Sequence, residues 1–291
     1  MGAIVNNGGT IPTVLVEELF NGVRGESALA KISPARPIPF RGMTEFVFSM
    51  DNEASVVGES GAKVNGGITM TPVVVRPVKF EYGARFSYEM WRASEEARMN
   101  ILRTFVEGAR RKFARGFDIA AMHGLNPYSG TASAVIGTNN LDAQITNDIT
   151  YDATTPRANI MDAVALVVAA DAEINGMAIS ATMAGNLANE VSNGIPANPE
   201  FYNSLKPDTF LGVPAAVNTT VSSGSVAHAY LGDWNAFRWG YAEEIPYEVI
   251  EYGDPDNTGS DLKGHNQIYL RAEAFIGWAI LDPSMLARVE I

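Results

Sequence analysis

The chain contains no cysteine, so neither a disulfide nor a thiolate metal site is open to it, and a reducing compartment takes nothing from its stability. Histidine is scarce as well: His123, His228 and His265 stand far apart, without the paired spacing of a zinc-binding helix. No G-x-S-x-G elbow, no P-loop and no G-x-G-x-x-G leading into a helix occurs. The longest apolar stretches, such as residues 163–170, fall far short of the roughly 20 residues that cross a bilayer. Met1-Gly2-Ala3-Ile4 lacks the charged start and apolar run of a secretion signal. Positive charge is in deficit too: 21 Lys and Arg face 33 Asp and Glu, a formal net charge of -12. Gripping a phosphate backbone takes clustered bases that release counterions, which this balance opposes. These absences leave no cofactor, metal or membrane partner to expect. A cytosolic α+β enzyme using carboxylates such as Glu243 and Glu244 is the rival from another class, and no paired acid-base spacing supports it.

What is present is an ordinary globular endowment, 291 residues with 46% hydrophobic side chains, enough for one large domain or two closely joined ones. The first forty residues read as an arm with little core of its own. Asn6-Asn7-Gly8-Gly9 is flexible, Thr10 and Pro12 open a short helix through Phe20, and Pro34, Pro37 and Pro39 stop regular structure. Val14, Leu15, Val16, Leu19 and Phe20 are apolar enough to need a partner surface, on this chain or another. Residues 44–50 and 70–88 are rich in Val, Phe and Tyr in near alternation with polar positions, and so read as strands, with a glycine-rich tip over residues 58–67 between them. Such a ribbon projects roughly 25 Å and carries Arg76, Lys79, Glu81 and Arg85 on its surface. Two strands alone are marginal, so the ribbon must dock elsewhere.

Residues 94–123 then predict a long helix. Ser94 caps it, Glu95 and Glu96 suit its positive end, and Gly124 stops it. Ala97, Ile101, Leu102, Phe105, Val106, Ala109, Phe113 and Phe117 recur at spacings of three and four, and the whole spans roughly 45 Å. After a turn-rich stretch over residues 125–157, the pattern predicts a helix over 159–174, a strand over 178–182 and a small helix over 183–191. Short strands follow over 213–218, 227–231 and 237–241, then a hairpin of 245–252 with 267–275 around the polar loop 253–266, and a last strand over 276–281. Mixed helices and strands in this order make the chain α+β.

The order of elements, together with several local sequences, resembles the major capsid proteins of tailed bacteriophages, the Hong Kong 97 type. Ala54-Ser55-Val56-Val57-Gly58-Glu59-Ser60-Gly61 is similar to the family's ribbon stretch, and Phe86-Ser87-Tyr88-Glu89-Met90 to its entry into the long helix. The resemblance is carried further by Phe117-Asp118-Ile119-Ala120-Ala121-Met122-His123-Gly124, by Phe210-Leu211-Gly212-Val213-Pro214 and by Leu231-Gly232-Asp233-Trp234. It closes on Tyr269-Leu270-Arg271-Ala272-Glu273-Ala274-Phe275-Ile276-Gly277-Trp278-Ala279 and Asp282-Pro283. The resemblance implies an N-terminal arm (1–40), an E-loop ribbon (41–86), a P-domain with the spine helix (87–150), an A-domain (151–244) and a P-loop hairpin with closing strands (245–291). It also implies a structural protein, not an enzyme, that self-assembles as hexamers and pentamers into an icosahedral shell around double-stranded DNA, within a virion assembled in the host cytoplasm. The partners are then other copies of the chain, a separate scaffolding protein, a portal and a decoration protein. The sequence starts almost at the arm, without a long charged scaffolding segment, which calls for a separate scaffold or prior processing. An encapsulin, the same fold enclosing cargo enzymes, is the nearest rival.

On this resemblance the contacts between subunits fall to Val14, Leu15, Leu19 and Phe20 of the arm, Glu59, Lys63, Arg76 and Lys79 of the ribbon, Arg110, Arg111 and Arg115 of the spine, and Asp254 and Asp256 of the P-loop. Each has a plainer reading. The spine's bases, a net of +4 between Arg92 and Arg115, also suit a solvated helix face. Asp254-Pro255-Asp256-Asn257-Thr258-Gly259 has the acids and the glycine of a calcium loop, yet His265 stands where a bidentate Glu belongs, so a solvated polar loop is the expectation. Some relatives weld Lys to Asn across subunits. Lys63, Asn257 and Asn266 lie in the regions concerned, without a placed catalytic Glu.

Overall fold

The structure is a computed structural model that describes residues 26–242 and 247–291. The short helix expected up to Phe20, with Val14, Leu15, Val16 and Leu19, and the carboxylates Glu243 and Glu244 lie outside the described residues. In chain order the helices are α1 (Ala28–Ile32), α2 (Tyr88–Ala93), α3 (Glu95–His123), α4 (Leu141–Gln144), α5 (Pro156–Ala169), α6 (Ala181–Asn189) and α7 (Pro199–Asn203). The strands are β1 (Met43–Met50), β2 (Ile68–Ser87), β3 (Asp148–Thr150), β4 (Gly176–Ile179), β5 (Val191–Ser192), β6 (Ile195–Pro196), β7 (Thr209–Phe210), β8 (Val213–Val217), β9 (Ala227–Gly232), β10 (Phe237–Tyr241), β11 (Tyr247–Ile250), β12 (Gln267–Ile280) and β13 (Leu286–Glu290).

Two sheets organise the chain. The first runs β1-β2-β12-β10, antiparallel throughout, with β11 also on β12. β12 is one strand of 14 residues where a break after Phe275 is expected from sequence, because β2 supplies partners from Gln267 to Trp278 and β10 continues to Ile280. Alternate residues Ile268, Leu270, Ala272, Ala274, Ile276, Trp278 and Ile280 enter the core, while on the other face Arg271 and Glu273 lie between the covered Tyr269 and Ala279. There Glu273 receives Lys79 at 2.5 Å, and Arg271 meets Glu248 at 2.5 Å.

The second sheet runs β3-β13-β9-β4-β8-β7 and joins segments from residue 148 to residue 290. Every residue of β4 and β9 is buried, since both faces are covered. Met177, Ile179, Ala229 and Leu231 pack beneath Ile160, Ala163 and Val167 of α5 and Met183 and Leu187 of α6, while Ala178 and Tyr230 face the core shared with α3. The sheets therefore cut across sequence order: β10 belongs with the ribbon strands, and the closing strand β13 lies between β3 and β9.

The long helix begins and ends where its caps place it. Ser94 Oγ accepts from the Ala97 amide at 3.0 Å, and Gly124, at φ 67, turns its N–H back to Ala120 O at 3.0 Å. The helix expected over residues 159–174 is α5, which starts and stops earlier than its apolar pattern suggests. Pro156 sits at its first position, where a proline's missing N–H and fixed φ are tolerated, and Asp171 at φ 55 ends it. Likewise β4 is shorter than the expected strand because Ser180 leaves it to cap α6, accepting from Met183 N at 3.2 Å.

Residues 27–40 are packed on their own subunit, against the expectation of an arm without a core. Ala28, Leu29 and Ile32 are buried in the core, on β4 and β8, and the chain then runs beside β10, with Arg36 N donating to Trp239 O at 2.9 Å and Ile38 N to Tyr241 O at 3.1 Å. Gly240 is what permits this approach, since a Cβ there would land on the Arg36 carbonyl oxygen, a backbone atom that cannot swing aside. Gly240→Ala is therefore expected to cost about 3 kcal/mol through overpacking and to expose residues 34–40 to protease. Urea melts and limited proteolysis of the purified chain check it, and an unchanged cleavage pattern overturns it.

Candidate assembly surfaces

The ribbon is the first surface. β2 is a single strand of 20 residues used twice: its first half, from Ile68 to Val75, pairs with β1, and its second half, from Arg76 to Ser87, pairs with β12. The projecting part is thus residues 43–75, and Arg76, Lys79 and Arg85 lie in the sheet at its root, not along the ribbon as expected from sequence. The difference arises because β12 offers β2 a second partner that no local pattern announces. Outward of Val75 the two strands pair only with each other, and among the described residues Glu45, held by Arg238 at 2.8 Å, ties the ribbon's base to β10. Yet Phe46, Phe48, Met50, Ile68, Met70 and Val74 are all exposed along it, as are Val56, Val57 and Val64 at the tip. A contiguous row of large apolar side chains in water marks an association surface. Glu59 and Lys63 stand exposed at the same tip.

The spine is the second surface. Its first half is amphipathic, with Ile101, Leu102, Phe105, Val106 and Ala109 inward, and from Phe113 it enters the core almost entirely. Phe117 anchors it there, its ring 4.8 Å from Trp239 and 5.9 Å from Trp278. Of the bases expected to reach neighbours, Arg110 and Arg111 converge on Glu26 of the same chain at 2.7 and 3.7 Å. Arg115 reaches Thr219 and Ser223 at 3.4 and 3.2 Å. Arg103 and Lys112 are exposed.

The spine's end carries two polar knots. Asp118 is fully buried and accepts four hydrogen bonds: from Ser27 Oγ at 2.5 Å, Ala28 N at 2.9 Å, Leu29 N at 3.2 Å and Thr220 Oγ1 at 2.8 Å. Burial pushes its carboxyl up from the ordinary Asp range, and these donors oppose the rise. Next to it His123 places Nδ1 2.8 Å from Asp142 Oδ2 and Nε2 2.8 Å from Thr220 O. Asp142 also accepts from Tyr230, from Ser225 at 2.8 Å and from Arg288 at 3.3 Å. Burial works against ionising Asp142, but the bonds from His123, Tyr230 and Ser225 outweigh it and hold the carboxyl below the ordinary range. A depressed folded value means stability that is present above the unfolded value of about 4 and is lost as pH falls toward the folded one. Asp142→Asn is thus expected to destabilise most near neutral pH and progressively less in acid. Melting curves of both proteins from pH 6 down to about 3 check this, and a difference that grows in acid overturns it.

The other two histidines are likewise engaged by their own chain. His228 stacks on Tyr151 at 4.0 Å and lies 3.2 Å from Ser180 Oγ, but Ser180 is buried as the cap of α6. His265 is exposed and rests on Asp261 O at 2.9 Å. Among the described residues no group of His, Cys, Asp and Glu is placed to hold a metal, and no helix is long and apolar enough to cross a membrane. The third surface is the loop between β11 and β12. Its Asp254 and Asp256, expected to face neighbours, both turn inward to Arg85. Sequence reasoning missed Asp118, Asp142 and Glu26. A lone acid inside the apolar run from Phe113 to Met122 was the one visible signal.

The sequence matches the phage capsid family over residues 7–291. No curated protein matches it. Among solved structures, one titled Mycobacterium phage Ogopogo is similar at 29% identity, with 99% of this chain and 94% of that chain covered and a TM-score of 0.78. One titled Gordonia phage Cozz is similar at 24% identity, with 91% and 86% covered and a TM-score of 0.75. The capsid of an empty GTA particle shares the fold at 12% identity, with 100% and 94% covered and a TM-score of 0.63. With a projecting ribbon, a buried spine, two sheets and a family match along nearly its whole length, the chain belongs to the phage capsid family and is a tailed-phage major capsid protein of the Hong Kong 97-like fold.

Proposed function

We propose that this subunit forms its shell by self-assembly into pentamers and hexamers, with the ribbon and the residues preceding Glu26 laid across neighbouring copies, and that the closed shell encloses double-stranded DNA without reading its sequence. The carrying observation is the ribbon: a two-stranded element is marginal alone, and this one leaves Phe46, Phe48, Met50, Ile68, Met70 and Val74 in water. A second copy that covers them removes that cost, and repetition of one such contact under closed symmetry builds a shell. The net charge of -12 suits a container more than a binder of the enclosed polymer. A scaffolding protein, a portal and decoration proteins complete the proposed set of partners, with assembly in the host cytoplasm. The subunit's role is structural, without a catalytic step of its own.

Electron microscopy of the purified chain, alone and expressed with the scaffolding protein, tests the reading. Closed shells built of pentamers and hexamers are expected, and particles recovered from infected cells are expected to hold nucleic acid. A strictly monomeric chain under every condition overturns the assembly reading, and shells filled with protein cargo overturn the DNA reading.

A further inference from the structure

The loop between β11 and β12 has the oxygen pattern of a calcium loop, and a side chain fills it. Counting from Asp254, the first, third and fifth positions are Asp254, Asp256 and Thr258, the sixth is Gly259, and the seventh is Ser260. In a calcium loop those positions supply three side-chain oxygens, a sharp turn and a backbone carbonyl. Here all four oxygens accept from one nitrogen, Arg85 Nη2. Asp254 Oδ1 lies at 2.8 Å, Thr258 Oγ1 at 2.7 Å and the Ser260 carbonyl at 2.9 Å, with Asp256 Oδ1 closer still. Nη2 has two hydrogens and four oxygen neighbours, which is more a coordination shell than a set of paired hydrogen bonds. The rest of the guanidinium is fixed as well, Nε on Asp256 Oδ2 at 2.8 Å and Nη1 on Gln267 Oε1 at 3.2 Å.

The turn around it is that of a filled loop. Gly259 adopts φ 80 and donates its N–H to Asp254 Oδ2 at 2.7 Å, and Thr258 N donates to Asp254 Oδ1 at 3.1 Å. The twelfth position, where a metal loop places a bidentate carboxylate, is His265, turned to Asp261 O. The guanidinium that arrives from β2 thus stands where a metal loop places its ion.

We propose that Arg85 is the resident cation of this loop: its guanidinium holds residues 253–266 on the root of the ribbon without metal, and its removal converts the loop into a calcium site. The consequence is a metal-independent joint between β2 and the loop. Neutralising Asp254 and Asp256 from within also lowers the charge that this loop turns outward.

The test uses the purified full-length chain, wild type and Arg85→Ser, in EDTA and in millimolar calcium. Wild type is expected to bind no calcium by titration calorimetry and to show the same hydrogen exchange at Thr258 and Gly259 in both conditions. Arg85→Ser in EDTA is expected to exchange those amides at least about tenfold faster, and calcium, bound at one ion per chain, to restore protection. Calcium binding to wild type, unchanged exchange in Arg85→Ser, or no calcium bound by that variant each overturns the proposal. Should Arg85→Ser not accumulate as folded protein, Arg85→Lys decides. A single ammonium cannot replace the fork, so exchange intermediate between wild type and the unfolded limit is expected, and protection equal to wild type overturns the proposal.

Discussion

Phe48→Asp combined with Met70→Asp is expected to abolish shell assembly while leaving the melting temperature of the unassembled subunit unchanged. The two residues face each other across the ribbon as register partners, on one face, 63% and 53% exposed. Covering a fully exposed apolar side chain of this size contributes about 1.5–3 kcal/mol, so the parts of this pair still in water supply roughly 2–3.5 kcal/mol at each contact they enter. Two carboxylates in their place remove that gain and add a desolvation cost if the same surface is still to be covered. A shell repeats the loss at every subunit. Within the monomer, neither residue touches the core, which starts at Val75, and an exposed substitution of this kind ordinarily changes stability by no more than about 0.5 kcal/mol. Sedimentation and electron microscopy beside a thermal melt separate the two effects. Wild-type yields of closed shells from the double variant sink the assignment of the ribbon to assembly. A lowered melting temperature of the unassembled chain shows that the ribbon serves the monomer fold.

The parts of this molecule that were legible in sequence are those fixed by local chemistry. Ser94 and Gly124 delimit the spine because capping depends on one side-chain oxygen and one left-handed residue, both visible as letters. Strand β10 begins and ends where its pattern places it, at Phe237 and Tyr241. What was not legible depends on partners distant in the chain. The two uses of β2 require β12, nearly two hundred residues later. Arg85 reads as a surface base of a ribbon until the loop 253–266 folds around it, and Asp254 and Asp256 read as free acids for the same reason. Arg110 and Arg111 read as outward charges until the chain brings Glu26 beside them. Asp254, Asp256, Arg110 and Arg111, expected to look for a neighbouring subunit, are met by their own chain first.

Asp118→Ala is expected to be the most damaging single substitution in the spine, costing about 3–5 kcal/mol, and to release the segment that begins at Ser27. The carboxylate sits at the N-terminal end of α1, where the Ala28 and Leu29 amides have no partner within a helix of only five residues. It also takes the Ser27 hydroxyl, which in turn accepts from Ala30 N at 3.1 Å, and the Thr220 hydroxyl from the far side of the core. Removing it strands four buried donors at once, and no water reaches a position with no exposed surface. Asp118→Asn is the informative companion. The amide keeps the shape and one acceptor but turns an NH2 toward donors, so it is expected to recover only part of the loss. Urea unfolding of the three proteins gives the magnitudes, and protease cleavage between residues 26 and 40 reports whether Ser27 has left the spine. If both variants melt like the wild type, Asp118 is not what fastens that segment. If Asp118→Ala is destabilised but stays uncleaved, the loss lies in the core alone, and the anchoring of the segment passes to its contacts beside β10.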